Sequence, residues 1–469
     1  MRVELFALGA ALVLLSAACT KVNPHYCSGH FEDDCDMDAA DAPSAEGDVA
    51  EARDSRDAAD VSEVAPEAKP PVCVTDDQCA AAADAGTPAC GTSDGGAACV
   101  ECTSNSHCKG TKSVCDSAAE KCVECLGTEA ASGTECKADS SRSVCNKMTQ
   151  SCVACLDNTK CSGTEPICDT TKNTCRPCTA DAECNGIGPG VCVDYDGHCA
   201  TAGEVVTLEG GAACVALGML FCKASDAVAS LSMMRPILLI KGPDPVGAID
   251  PPIGAAPKLL IVGQGGALVG AGSGDTAGVH LAGPNKFWVR DLKISGGTVG
   301  VVAEQSAELH LTRCVVTKNG MGGIKTIDSS FDITNTIIAA NGGGTDVGGV
   351  AWGGVRLGDI PQSGASRFVN NTVVDNTSIG LSCKNSYDAS TNIVHGNLGG
   401  ETINCTGAAC CGAGDPDPLL DASYHLMSGS PCIGKIDATT MSLTIDIQGH
   451  PRPMPPMGKL ACGADEFVP

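Results

Sequence analysis

The sequence predicts an all-β chain in which a disulfide-rich repeat region precedes a parallel β-helix. Three observations lead there. A four-cysteine pattern returns five times between Cys73 and Cys199. After residue 203 a glycine-led motif returns about every 22 residues. Aromatic residues make up 3% of the chain (7 Phe, 4 Tyr and 2 Trp), so a core must be built from small aliphatics, as a narrow coil interior requires. The boundaries that follow are an export signal at 1–19, an acidic disordered linker at 20–70, Cys-rich repeats at 71–202 and a β-helix with a C-terminal cap at 203–469.

The first residues set the compartment. MRVELFALGAALVLLSAAC carries one Arg and then an apolar run from Leu5 to Leu15. That run is too short to span a bilayer as a helix. It reads as a secretory signal. Its end, SAAC, resembles the lipobox of bacterial lipoproteins, which implies that Cys19 is diacylated and becomes the new N-terminus. Ser16 stands where that family prefers Leu, and Glu4 is unusual in a basic leader; plain cleavage near Ala17–Ala18 is the other reading. Thr20 after the Cys, rather than Asp, points to the outer membrane or cell surface.

An exported chain with 32 Cys belongs to an oxidising compartment. The net charge of −26 excludes nucleic acid as a partner, because phosphate recognition needs a basic face. Residues 31–70 hold 14 Asp/Glu against 3 Lys/Arg, with one Phe and no Trp or Tyr. Such a segment cannot bury enough apolar surface to offset chain entropy and is expected to be a self-repelling tether. Cys27 and Cys35, near its start, are expected to close a small loop.

The repeat units are Cys73/79/90/99, Cys102/108/115/122, Cys125/136/145/152, Cys155/161/168/175 and Cys178/184/192/199. They begin 29, 23, 30 and 23 residues apart, which marks an array. Four Cys per unit suit two bridges, and spacing leaves all three connectivities open. The CVEC pairs at Cys99–Cys102 and Cys122–Cys125 also fit the spacing of a zinc ribbon. Two further cysteines lie in each gap and the chain is exported, so disulfides outweigh metal. A redox C-x-x-C needs a helix N-terminus to lower its thiol pKa, and nothing helical frames these pairs. His107 and His198 stand singly and read as surface residues rather than ligands. Units this short, with a Val here and a Leu there, need covalent staples to fold.

In the C-terminal half, GVHLA, GVVAE, GIKTI, GVRLG and GLSCK begin at Gly278, Gly300, Gly323, Gly354 and Gly380. A second column, KISGG, VVTKN, IIAAN, VVDN and IVHGN, runs beside it from Lys293. Two β-rich strands per period predict stacked coils, each turning Val, Ile or Leu inward at alternate positions. Asn319, Asn341, Asn376 and Asn397 close the second strand in four coils. Asn tolerates a left-handed corner and can stack in a side-chain ladder. The long step from Gly323 to Gly354 implies an insertion, either GGTDVGGVAWGG with Trp352 or the DIPQSGAS loop. Loops leaving a coil often wall a binding groove.

The last 55 or so residues are more specific. DPDPLLDASYHLMSGSPCIGKID from Asp415, then DIQGHPRP and GADEF, resemble the C-terminal signature of pectin-lyase-like, right-handed parallel β-helix proteins of bacterial surfaces. That resemblance implies the hand of the coil and a scaffold used by both binders and polysaccharide-cleaving enzymes. Cys432 and Cys462 depart from the signature, and they are expected to bond to each other. Of the nine Cys after Cys199 one must remain unpaired; Cys314, in the middle of LTRCVVT, is expected to be a buried free thiol.

No lyase or polygalacturonase motif is present, and no catalytic residue and no metal ligand set is assigned. Stacked in register, the glycine motifs put His280, Val302, Lys325, Arg356 and Ser382 in one outward row. Lys325 and Arg356 become neighbours about 5 Å apart, as do Asp328 and Asp359, with Glu304 close by. This patch is the candidate ligand site, able to grip a uronic acid or to hold Ca²⁺ through its carboxylates; a solvated face of self-neutralising charges is the plainer reading. The expectation is therefore a lipid-anchored surface protein without a cofactor, presenting its β-helix to polysaccharide or a surface protein. A polysaccharide lyase or glycoside hydrolase on the same scaffold is the alternative.

Overall fold

Each cysteine unit folds around a hairpin whose turn is written in the residues after its third cysteine. Three of these hairpins are Val114–Asp116 with Lys121–Val123, Val144–Asn146 with Ser151–Val153, and Ile167–Asp169 with Thr174–Arg176. Asp116, Asn146 and Asp169 close the turns by accepting from the N–H two residues on, each at 3.0 Å. The third and fourth cysteines then face each other across the strands, Cys115 opposite Cys122, Cys145 opposite Cys152 and Cys168 opposite Cys175. They do not bond to each other. The preceding segment is pinned against the hairpin, where Asn105, Asn158 and Asp181 accept the N–H of Cys115, Cys168 and Cys192 at 2.8 Å. First cysteines therefore join third and second join fourth: Cys102–Cys115 with Cys108–Cys122, and likewise in the next three units. Cys79–Cys99 obeys the same rule in the first unit, and Cys90 is also disulfide-bonded. With 13 to 20 residues between partners, each bridge is worth about 3 kcal/mol of loop-closure entropy.

The computed structural model describes residues 76, 79, 89–93, 96–127, 135–136, 140–272, 277–346, 348–359, 366–385, 387–388, 390–407, 409–437, 443–452 and 458–468. Cys19, Cys27, Cys35, Cys73 and the acidic tether lie outside the described residues. No described helix is long and apolar enough to cross a membrane.

From Val205 onward the chain winds into three parallel sheets of eight, seven and six strands. The sequence period marks two strands per coil; the coil has three. The extra column is Lys286–Arg290, Glu308–Thr312, Ser330–Thr334 and Arg367–Val369 in the eight-stranded sheet. Its inward residues Phe287, Leu309, Phe331 and Phe368 are buried, while the outward ones vary among charged, aromatic, hydroxyl and aliphatic residues and carry no glycine or asparagine marker.

The corners explain the other two columns. Asn319, Asn341, Asn376 and Asn397 form a buried ladder, each amide donating to the next carbonyl oxygen at 2.9, 3.0 and 2.8 Å. The left-handed backbone falls one residue earlier, on Lys318, Ala340 and Asp375, so the asparagines are chosen for the ladder and not for φ. A second, shorter ladder joins Asn371 to Asn392 at 3.2 Å at the corner entering the same strands. Cys314 is free and fully buried. It sits at that corner, immediately before Val315–Thr317, and not in mid-strand as its sequence context suggests. Burial pushes its thiol up to about 12, so it is an apolar filler.

The cap corrects one expectation. Cys432 bonds to Cys411 and Cys462 to Cys410, not to each other. The paired strands Ile436–Asp437 and Lys459–Leu460 and the Cys462 N–H on Cys432 carbonyl bring the two close in backbone, but both side chains turn to the adjacent Cys410–Cys411 of the last coil. The signature residues serve the same closure. Asp446 accepts the N–H groups of Gln448, His450 and Glu466, and Arg452 donates to the Gly463 carbonyl.

The fifth unit docks on the first coils. Val191, Val193 and Ala200 pack against Val205, Ile237, Leu239, Leu260 and Val262 on the outside of the eight-stranded sheet. Tyr195 lies 5.1 Å from the Trp288 ring, whose other face stacks on His310 at 4.7 Å. Beside them Arg290, 3% exposed, holds Asp181 and Asp194 of the unit and Asp291 of its own corner, all at 2.7 Å.

Two outcomes follow. Arg290→Ala leaves Asp181 and Asp194 against an apolar interface and should cost about 3 kcal/mol, read in denaturant by the Trp288 signal. The second concerns pH. Burial raises Asp465 and Glu466 above the ordinary carboxylate range. The fold thus prefers them protonated, and their contribution is complete below the unfolded carboxylate values and lost as pH rises through the folded ones. An Asp465→Asn chain should gain melting temperature relative to the native chain at neutral pH, and the gain should vanish in acid, where the native carboxyl is protonated in both states.

Candidate functional site

The outer face of the six-stranded sheet carries one continuous row. His280 pairs with Val302, Val302 with Lys325, Lys325 with Arg356 and Arg356 with Ser382. The register survives the 31-residue step because the extra chain leaves the coil as a hairpin, Gly344–Thr345 with Ala351–Trp352. GGTDVGGVAWGG is therefore one insertion; the DIPQSGAS loop is a second, and its residues 360–365 lie outside the described residues. Trp352 is buried over Gly322, where a Cβ would stand 2.1 Å from the indole. The hairpin thereby lies against the sheet and walls a depression of about 530 Å³.

Lys325, Asp328, Arg356 and Asp359 all line this depression, with Asp346 from the hairpin and Lys384 from the next coil. Glu304 does not. It pairs with His280 Nε2 at 3.2 Å, and His280 Nδ1 meets Asp250 at 3.0 Å, forming a separate chain of charges on the preceding coils. Asp346 and Lys384 escape sequence reading. The first lies in an insertion with no coil register, and the second is the last residue of GLSCK, one past the strand Leu381–Cys383 and off the outward row.

These two residues change what the patch is. Arg356 is buried, binding Asp346 through Nη2 at 2.7 Å and Nε at 2.8 Å and donating to Ser382 Oγ at 3.2 Å. Burial opposes ionisation of Asp346, but the Val350 N–H and the Arg356 guanidinium overcome it and hold the carboxyl below its ordinary range. Lys384 is ion-paired with Asp359, which raises the ammonium above its ordinary value. Lys325 and Asp328 enter no ion pair within 4 Å among the described residues; Lys325 Nζ lies 6.0 Å from the Trp352 ring centre. A calcium ion bridging Asp328 and Asp359 would have to take Asp359 from Lys384. Among the described residues, the sets of three side chains close enough to hold one ion all contain cysteine, and those sulfurs are in disulfides. His107 and His198 bind Asp76 at 3.1 Å and Asp196 at 2.6 Å.

Residues 277–411 match the family of right-handed β-helix regions. The match spans the coils that build the groove and ends at Cys411, where the cap begins. It fixes the hand of the coil. No curated protein and no solved structure matches the chain. Within the right-handed β-helix, the groove is thus a feature of the hairpin insertion and of the register that carries it. Removing Asp346 should show this: Asp346→Ala leaves Arg356 buried without its carboxylate, a loss of about 3 kcal/mol, and should open residues 342–354 to limited proteolysis while Asn341 and its ladder stay protected.

Proposed function

We propose that this chain is an exported, lipid-anchored protein of the outer membrane or cell surface whose right-handed β-helix binds polysaccharide without cleaving it. The disulfides support export, since bridges at this density persist in oxidising compartments. The SAAC end of the leader supports acylation at Cys19. The observation that carries the binding reading is the groove itself: a depression of about 530 Å³ on a rigid sheet, walled by an anchored hairpin and lined by three cations and three carboxylates. Glycan hydroxyls both donate and accept, and charged groups make the stronger hydrogen bonds to them. Ion pairing of Arg356 and Lys384 supports binding over cleavage, because a lyase base must be free to take a proton. Lys325, outside any described ion pair, is the one observation that favours the lyase alternative.

A glycan array probed with the full chain tests the reading. At least one polysaccharide should bind. Lys325→Gln/Asp328→Asn should weaken that binding about tenfold, or about 1.4 kcal/mol, with the fold intact because neither group enters an ion pair among the described residues. Ultraviolet absorbance of an unsaturated uronate should stay flat throughout; its rise would install the lyase in place of the binder, and an array without any signal would remove the glycan reading. Cys19→Ala should release the chain from the membrane fraction.

A further inference from the structure

Which polysaccharide the groove accepts can be read from its charges. Building on the binding reading above, we propose that the ligand is an uncharged glycan, recognised through its hydroxyls, and not a polyuronate. The observations are electrostatic and geometric. The chain carries −26 in all, and −15 of that lies outside the acidic segment 31–70. A polyanion therefore approaches against the field of the whole molecule. At the groove nothing offsets that repulsion. Its three cations, Lys325, Arg356 and Lys384, meet three carboxylates, Asp328, Asp346 and Asp359.

Two of the three cations are already committed. Arg356 is buried and spends Nε and Nη2 on Asp346 and Nη1 on Ser382. Turning it toward a ligand carboxylate would strand Asp346, which also anchors the hairpin through the N–H groups of Gly348 and Val350 at 2.9 and 3.0 Å. Lys384 is held by Asp359. The Lys384–Asp359 pair stays half exposed, and beside it stand one ammonium, Lys325, and one carboxylate, Asp328; these two cations and two carboxylates cancel at any distance beyond the groove. Each can still donate to or accept from a hydroxyl. Between them Ile327 and Val350, both half-buried, supply apolar surface suited to the C–H face of a pyranose ring. The strands of neighbouring coils are about 4.8 Å apart, close to the advance of one sugar in an extended β-linked chain, so a linear glycan lying along the axis can place successive rings against successive coils.

Calorimetric titration of the full chain tests this, using cello-, manno- and xylo-oligosaccharides beside oligogalacturonate of the same length, at low and high ionic strength. One neutral oligosaccharide should bind with an affinity that changes less than about twofold with salt. Oligogalacturonate should bind at least about tenfold more weakly at low salt, where repulsion is least screened. Lys325→Gln should weaken the neutral ligand by the same factor at both salt concentrations. Tighter binding of oligogalacturonate, falling as salt rises, would overturn the uncharged-ligand inference and leave the glycan-binding reading standing. Absence of binding to every oligosaccharide, neutral or charged, would overturn both.

Discussion

The coils stack because one corner is filled from both sides. The glycines that begin each motif point inward at the asparagine ladder, and no side chain fits between. A Cβ on Gly323 would stand 2.4 Å from Ile338 and 3.0 Å from the Asn341 amide; one on Gly354 would stand 2.3 Å from the Gly380 carbonyl and 3.0 Å from Asn376. Each ladder amide is buried and satisfied by its neighbour, and a buried amide left without a partner costs about 1–3 kcal/mol. Register is therefore enforced at every coil independently of what leaves the coil. Asn341 finds Asn376 although 35 residues separate them. For the same reason Lys325 lies beside Arg356, and the hairpin that makes the groove is carried without disturbing the stack.

The N-terminal half solves a different problem. Its units have too little apolar surface to stack, so covalent bridges replace the core, and sulfur itself fills the unit interiors. The two regimes meet at the fifth unit, where Arg290 from the β-helix is enclosed by carboxylates from both sides. Asp181 has a double part there. It accepts the Cys192 N–H within its own unit and the Arg290 guanidinium across the contact, so the staple and the docking share one side chain.

Legibility followed marker residues. Glycine and asparagine columns were readable because both are confined by contact, and the outward row His280 to Ser382 follows from them residue by residue. The third strand was readable at ILLIK and LLIVGQ, whose apolar runs stand out, and not from Lys286 on. KFWVR, ELHLT and SFDIT share only an inward apolar pair, and their outward residues vary with the local partner: Trp288 under Tyr195, His310 under Trp288, Asp332 beside Arg367. Cysteine count gave the number of bridges but not their pairing, which depends on Asn105, Asn158 and Asp181 pinning one segment to a hairpin. The Cys432–Cys462 expectation failed because proximity in the cap is not orientation. Of the groove, the sequence held the row and missed its two neutralising partners: Asp346 lies in the insertion, and Lys384, though it ends GLSCK, lies outside the row of register positions.

The claim that the ladder sets the register of the groove is tested most directly by hydrogen exchange, followed by mass spectrometry, on Asn341→Ala. Faster exchange is expected on both sides of the missing rung, in Val315–Thr317 and Thr372–Val374, and also at the groove in Gly322–Thr326 and Val355–Leu357. Faster exchange confined to the residues next to 341, with the groove strands as protected as before, would contradict it.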